Sequence, residues 1–124
     1  MAALLAAAST AIVIAALFGT SAASAASAAG CLHPKTTTVK VTEYEYGFKL
    51  SPLPVHCGTV TFVQKNIGSL AHNFDLQGVR AGKLLSPHQS AKFTVKLKAK
   101  TYTYQCDVLG HASLGMVGTL KVKD

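Results

Sequence analysis

Alternate residues near the end of the chain share a character. Tyr102, Tyr104 and Cys106 precede a loop, and Met116, Gly118, Leu120 and Val122 follow it. Thr101, Thr103, Gln105, Val117, Thr119, Lys121 and Lys123 fall between them. A two-residue period belongs to a strand with one face inward, not to a helix. Two strands are therefore expected, Thr101 to Cys106 and Met116 to Lys123, with Cys106 and Met116 turned toward the core. Upstream, His72, Phe74 and Leu76 share one face while Asn73 and Asp75 take the other. Further strands are expected over Thr36 to Tyr44, Gly58 to Lys65, Ala71 to Leu76 and Ser90 to Lys98, most of them rich in β-branched and aromatic residues. Gly47, Pro52, Pro54, Gly68, Gly78, Gly82 and Pro87 lie between these segments as turn signals. No internal repeat and no amphipathic helix is evident after residue 30, so the expected class is all-β.

The loop between the last two strands carries chemistry as well as a turn. It reads Cys106-x4-His111-x4-Met116, with Gly110 and Gly115 inside it, and the pair His72-Asn73 lies upstream. Taken singly, each residue has an ordinary explanation: a buried thiol, a core methionine, a loop histidine, a strand histidine. Taken together, one thiolate, two imidazoles and one thioether are the donors of a mononuclear copper site that moves single electrons. Zinc is more usually held by Cys and His, or with a carboxylate, and a catalytic metal keeps an open position. Met116 is the residue that argues for copper over either.

On these residues the chain resembles the cupredoxin, or type 1 blue copper, family, close in pattern to small bacterial plastocyanin-like domains. The matching segments run from Val60 to Phe74, from Ser90 to Leu97, and from Thr101 through Val122, so the resemblance covers nearly all of the chain after residue 35. It implies a Greek-key β-sandwich with one Cu(I)/Cu(II) ion near one end, His72 as first ligand, and Cys106, His111 and Met116 following. It also implies that the Asn73 side chain ties the two ligand-bearing loops together, against the simpler reading of a solvent-facing Asn. Electrons would pass at His111 among apolar neighbours such as Leu109 and Leu114, and the carrier is expected to be a monomer and not an enzyme. One departure stands out: many relatives have Pro where this chain has Leu109.

The first 30 residues are different material. An apolar stretch from Leu4 to Phe18 leads into Ala-Ser-Ala triplets, which suit a secretory signal peptidase. A cleaved signal is the expectation, with a membrane anchor as the alternative, and an exported protein, periplasmic or extracellular, in either case. Residues 31–124 are then one domain of cupredoxin size. Export fits the cysteines too. With Cys106 reserved for metal, Cys31 and Cys57 are a candidate disulfide, although Ala28-Ala29-Gly30-Cys31 also reads as a degenerate lipobox with Cys31 lipidated.

Lys and Arg outnumber Asp and Glu by 12 to 5, a net charge of +7. Lys92, Lys96, Lys98, Lys100, Lys121 and Lys123 mostly take the outward phase of their strands, as a solvated face would. The functional reading is attraction to an acidic redox partner or to an anionic membrane surface. Nucleic acid is not expected, because no aromatic motif interleaves with the lysines. His33, His56 and His88 read as surface residues, and Tyr44 and Tyr46, which bracket Glu45, as packing and edge residues. Three other functions stay open. A copper chaperone or resistance protein would favour Met and His over Cys. An oxidase domain would need His-x-His pairs or a second Cys near Gly110, and a metal-free binding module would keep only the fold.

Overall fold

The structure, a computed structural model, describes residues 30–124, and the expected signal or anchor segment lies outside them. Among the described residues, nine strands form two sheets. The first sheet contains β1 (Lys35–Tyr44), β2 (Gly47–Ser51), β4 (Gly58–Asn66) and β7 (Ser90–Leu97), ordered β2-β1-β4-β7. The second contains β3 (Val55–His56), β5 (Asp75–Leu76), β6 (Arg80–Ala81), β8 (Thr101–Gln105) and β9 (Val117–Lys123), ordered β3-β9-β8-β5-β6. This is the expected sandwich. β1 runs parallel to β4, and β3 parallel to β9, so connections cross between the sheets.

The inward faces explain why these segments hold. Val39 and Val41 of β1, Val60 and Phe62 of β4, Phe93 of β7, Tyr102 of β8, and Leu120 and Val122 of β9 are buried, each two residues from the next on its strand. Phe62 packs its ring 5.2 Å from Phe74 and 5.3 Å from Phe93, and the Phe74 ring lies 5.1 Å from that of Tyr104. Burying one such aromatic ring contributes about 1.5–3 kcal/mol. At one end, which we call the base, Cys31 and Cys57 form a disulfide with Cα atoms 5.7 Å apart. The Cys31 sulfur is engaged in this bond, as the disulfide reading has it. Ala99 N–H donates to Gly30 O at the same end.

Toward the opposite end the inward positions turn polar. On β1 the buried series runs Val39, Val41, Glu43, and on β4 it runs Val60, Phe62, Gln64, Asn66. Gln64 Nε2 donates to Glu43 Oε1 at 2.8 Å and to Lys83 O at 3.3 Å. Asn66 Nδ2 donates to Leu70 O and Leu85 O, and its Oδ1 accepts the Gly68 N–H. These side chains replace strand pairing for two loops that have no ladder of their own. Burial pushes the Glu43 carboxyl up to about 7, with the Gln64 hydrogen bond opposing. Glu43 Oε2 and Gln64 Oε1 are buried atoms with no hydrogen-bond partner.

One expected strand is shorter in the structure. Of Ala71 to Leu76 only β5, Asp75–Leu76, joins a sheet, while His72 pairs with Leu85 in an isolated bridge. The chain leaves the sheet there because Asn66 draws Leu70 O and Leu85 O together. Alternation consequently fails at Asn73, which is buried at 6% exposure and not outward as its strand phase suggested.

Candidate metal centre

The polar end of the sandwich gathers the four singled-out donors. Cys106 follows directly on β8, and Met116 immediately precedes β9, so strand pairing sets both. Cys106 N–H donates to Met116 O, and Met116 N–H donates to His111 O, each at 3.0 Å. The turn between them is closed by His111 N–H to Val108 O and Gly115 N–H to Ala112 O. Gly110 and Gly115 have φ of 85° and 112°, values that a side chain disfavours, so both glycines are needed for so tight a loop.

The side chains converge. His72 Nδ1 stands 3.2 Å from His111 Nδ1, and Cys106 Sγ stands 3.6 Å from His111 Nδ1. One donor atom each from His72, Cys106 and His111 lie within 4.8 Å of one another. His72 and Met116 are completely buried, Cys106 is 1% exposed and His111 is 7% exposed. Burial first, and the neighbouring His72 second, push the His111 pKa down, so its ring resists protonation. Facing nitrogen lone pairs beside a buried thiol repel one another unless a proton or a cation lies between them. That donor set fits a soft, borderline ion such as copper, with the wholly buried thioether of Met116 adjoining through its backbone. Among the described residues, the other cluster of such donors is Cys31, Cys57 and Asp124, whose two sulfurs are already bonded to each other.

Asn73 spans the two loops. Its Nδ2 donates to Asp107 Oδ2 at 2.8 Å, and the Asp107 N–H donates to Asn73 Oδ1 at 2.7 Å. Since Asp107 follows Cys106, this paired contact links the His72 loop to the Cys106 loop. Leu109 is 98% exposed and Leu114 60% exposed, on the same turn as His111.

Two neighbours of the site escaped the sequence reading. The two-residue turn Glu45-Tyr46 between β1 and β2 faces both imidazoles. Glu45 Oε1 lies 3.1 Å from His72 Nε2, and the Tyr46 ring stands edge-on to His111 with centroids 5.1 Å apart. Tyr46 therefore does more than pack an edge. An acid within a Tyr-Glu-Tyr-Gly turn is the only local signal, and it does not say which of five histidines it meets. His33 and His56 both contact Asp124 at the base, away from the site, and His88 is exposed.

Comparison with known proteins agrees with this fold. Residues 9–119 match the family described as a cupredoxin-like domain. Dithionite-reduced auracyanin from Roseiflexus castenholzii is similar in fold, with a TM-score of 0.61 and 20% identity over 74% of this chain and 100% of that one. Auracyanin A, a "blue" copper protein from Chloroflexus aurantiacus, has a TM-score of 0.60 and 24% identity over 72% of this chain and 100% of that one. The blue copper oxidase from Nitrosomonas europaea has a TM-score of 0.59 and 18% identity, with 72% of this chain matching 39% of that longer one. No curated protein sequence matches the chain.

Proposed function

This chain belongs to the cupredoxin family, and on that premise we propose that it carries single electrons between redox partners on one copper ion held by His72, Cys106, His111 and Met116. The observation that carries the reading is the meeting of two imidazole nitrogens and one thiol sulfur within 4.8 Å in a buried pocket. Copper bound there supplies a one-electron Cu(I)/Cu(II) couple. The chain's own residues keep the donors still. Strand pairing holds Cys106 and Met116, the glycine turn holds His111, and the Asn73–Asp107 contact holds the two loops to one another. A site that moves little between oxidation states suits transfer without a bound substrate. Exposed Leu109 and Leu114 on the His111 turn form a dry surface on which a partner can rest.

Charge suggests how the molecule is held. Lys35, Lys96, Lys98, Lys100, Lys121 and Lys123 are exposed and lie at the base, with Asp124 the single acid there. Toward the metal end, by contrast, the acids Glu45 and Asp107 stand with the lysines Lys65 and Lys83. The chain enters the fold at the base, directly after the apolar first 29 residues. An exported carrier whose lysines face an anionic membrane surface, leaving the His111 turn toward its partner, accounts for this polarity.

The test is direct. Cu(II) added to purified protein should give an intense blue thiolate-to-copper absorption that ascorbate bleaches, and Cys106→Ser should abolish the colour. A colourless wild-type protein holding one zinc overturns the proposal. Rapid loss of copper to a weak chelator would instead favour a metal-delivery role.

A further inference from the structure

We propose that Glu45 is a positioning residue for this site, holding the His72 ring proton on Nε2 so that Nδ1 faces His111 and Cys106 as a free electron pair. The inference rests on the reading of His72 as a copper ligand. Its basis is the two-sided environment of one buried ring: Nδ1 stands 3.2 Å from His111 Nδ1, and Nε2 stands 3.1 Å from Glu45 Oε1. A neutral imidazole has one N–H, and an ionised carboxylate only accepts. The proton therefore belongs between Nε2 and Glu45, and the other nitrogen is left to bind.

The carboxylate is itself held in place. Glu45 Oε1 accepts the Leu70 N–H at 2.6 Å. Its two oxygens fill space that Gly68 leaves open, since a Cβ there would lie 2.5 Å from each of them. Gly68 is fixed in turn by its N–H to Asn66 Oδ1 at 2.8 Å. The Glu45 side chain is 27% exposed and the His72 side chain fully buried, so this contact is shielded on one side from water.

Such a contact does more than orient the ring. A ring N–H shared with an anion makes the opposite nitrogen a stronger donor. A stronger donor favours the dication over the monocation. Glu45 therefore biases the site toward Cu(II), whereas a neutral acceptor in its place would orient His72 with less of that bias.

The test compares Glu45→Gln, Glu45→Ala and Gly68→Ala in the full chain. Nitrogen-15 spectra of the metal-free protein should show His72 protonated at Nε2, with a slowly exchanging ring proton. Glu45→Ala should raise that exchange rate more than about tenfold. Glu45→Gln should weaken Cu(II) binding by about 10- to 100-fold, the usual cost of losing a ligand's outer partner. Cu(I) binding should change less, so the reduction potential should rise. Gly68→Ala displaces only the end of a flexible side chain, and it should move the potential in the same direction. An unchanged Cu(II)-to-Cu(I) affinity ratio in both Glu45→Gln and Gly68→Ala overturns the proposal, even where thermal stability falls. If the wild-type protein binds no copper, the function proposed above fails, yet the metal-free spectra still decide the role of Glu45. A wild-type His72 protonated at Nδ1 would refute it.

Discussion

Raising the pH from 4 to 8 should weaken this fold through one side chain, Glu43. The residue is completely buried on β1, and burial pushes its carboxyl from 4.5 up to about 7 despite the hydrogen bond from Gln64. Unfolding returns it to water and to its ordinary value. Between those two values the native state binds a proton that the unfolded chain does not, so stability is fully present below about pH 4.5 and declines as pH rises to 7. At about 1.4 kcal/mol per pH unit, the loss by pH 8 is about 3 kcal/mol. Glu43→Gln keeps the shape and removes the proton. Urea unfolding of both proteins at steps from pH 4 to 8 gives the difference between them, in which the five histidines and the burial-raised carboxyl of Asp75 cancel. The wild type should lose about 3 kcal/mol relative to Glu43→Gln across that range. Two curves that stay parallel would show that Glu43 is ionised in the folded protein, and the reasoning from burial would be wrong.

Other perturbations act at separate places. The Cys31–Cys57 bridge closes a loop spanning 26 positions, so replacing both with Ser should cost about 3.5 kcal/mol by urea unfolding. The blue absorption should survive that change, because the bridge lies at the base. Leu114→Asp should slow electron self-exchange, read as line broadening in mixed Cu(I)/Cu(II) samples, and leave the absorption unchanged; an unaltered rate would remove this leucine from the docking surface. Lys96→Glu, Lys98→Glu and Lys100→Glu together should cut the extra retention of the full chain on phosphatidylglycerol over phosphatidylcholine vesicles by more than about tenfold at low salt. Equal retention of variant and wild type would exclude a basic base facing lipid.

Local pattern was enough for much of this protein. The two-residue period of Tyr102, Tyr104 and Cys106, and of Leu120 and Val122, marked both strands and their buried face, because a strand's side chains alternate whatever it pairs with. The short Cys106-to-Met116 spacing put three donors on one loop for the same local reason. Other parts depended on distant partners. β2 is short and turn-flanked, and becomes a strand only because β1 is beside it. Asn73 departs from alternation because the Asp107 backbone and carboxylate meet it there. Glu45 reaches His72 across 27 positions of sequence, through a turn whose place depends on how β1 packs. Backbone sterics and burial act on neighbours along the chain, and they can be read from the amino acids alone. Which acid meets which imidazole depends on the packing of whole sheets, and only the folded molecule decides it.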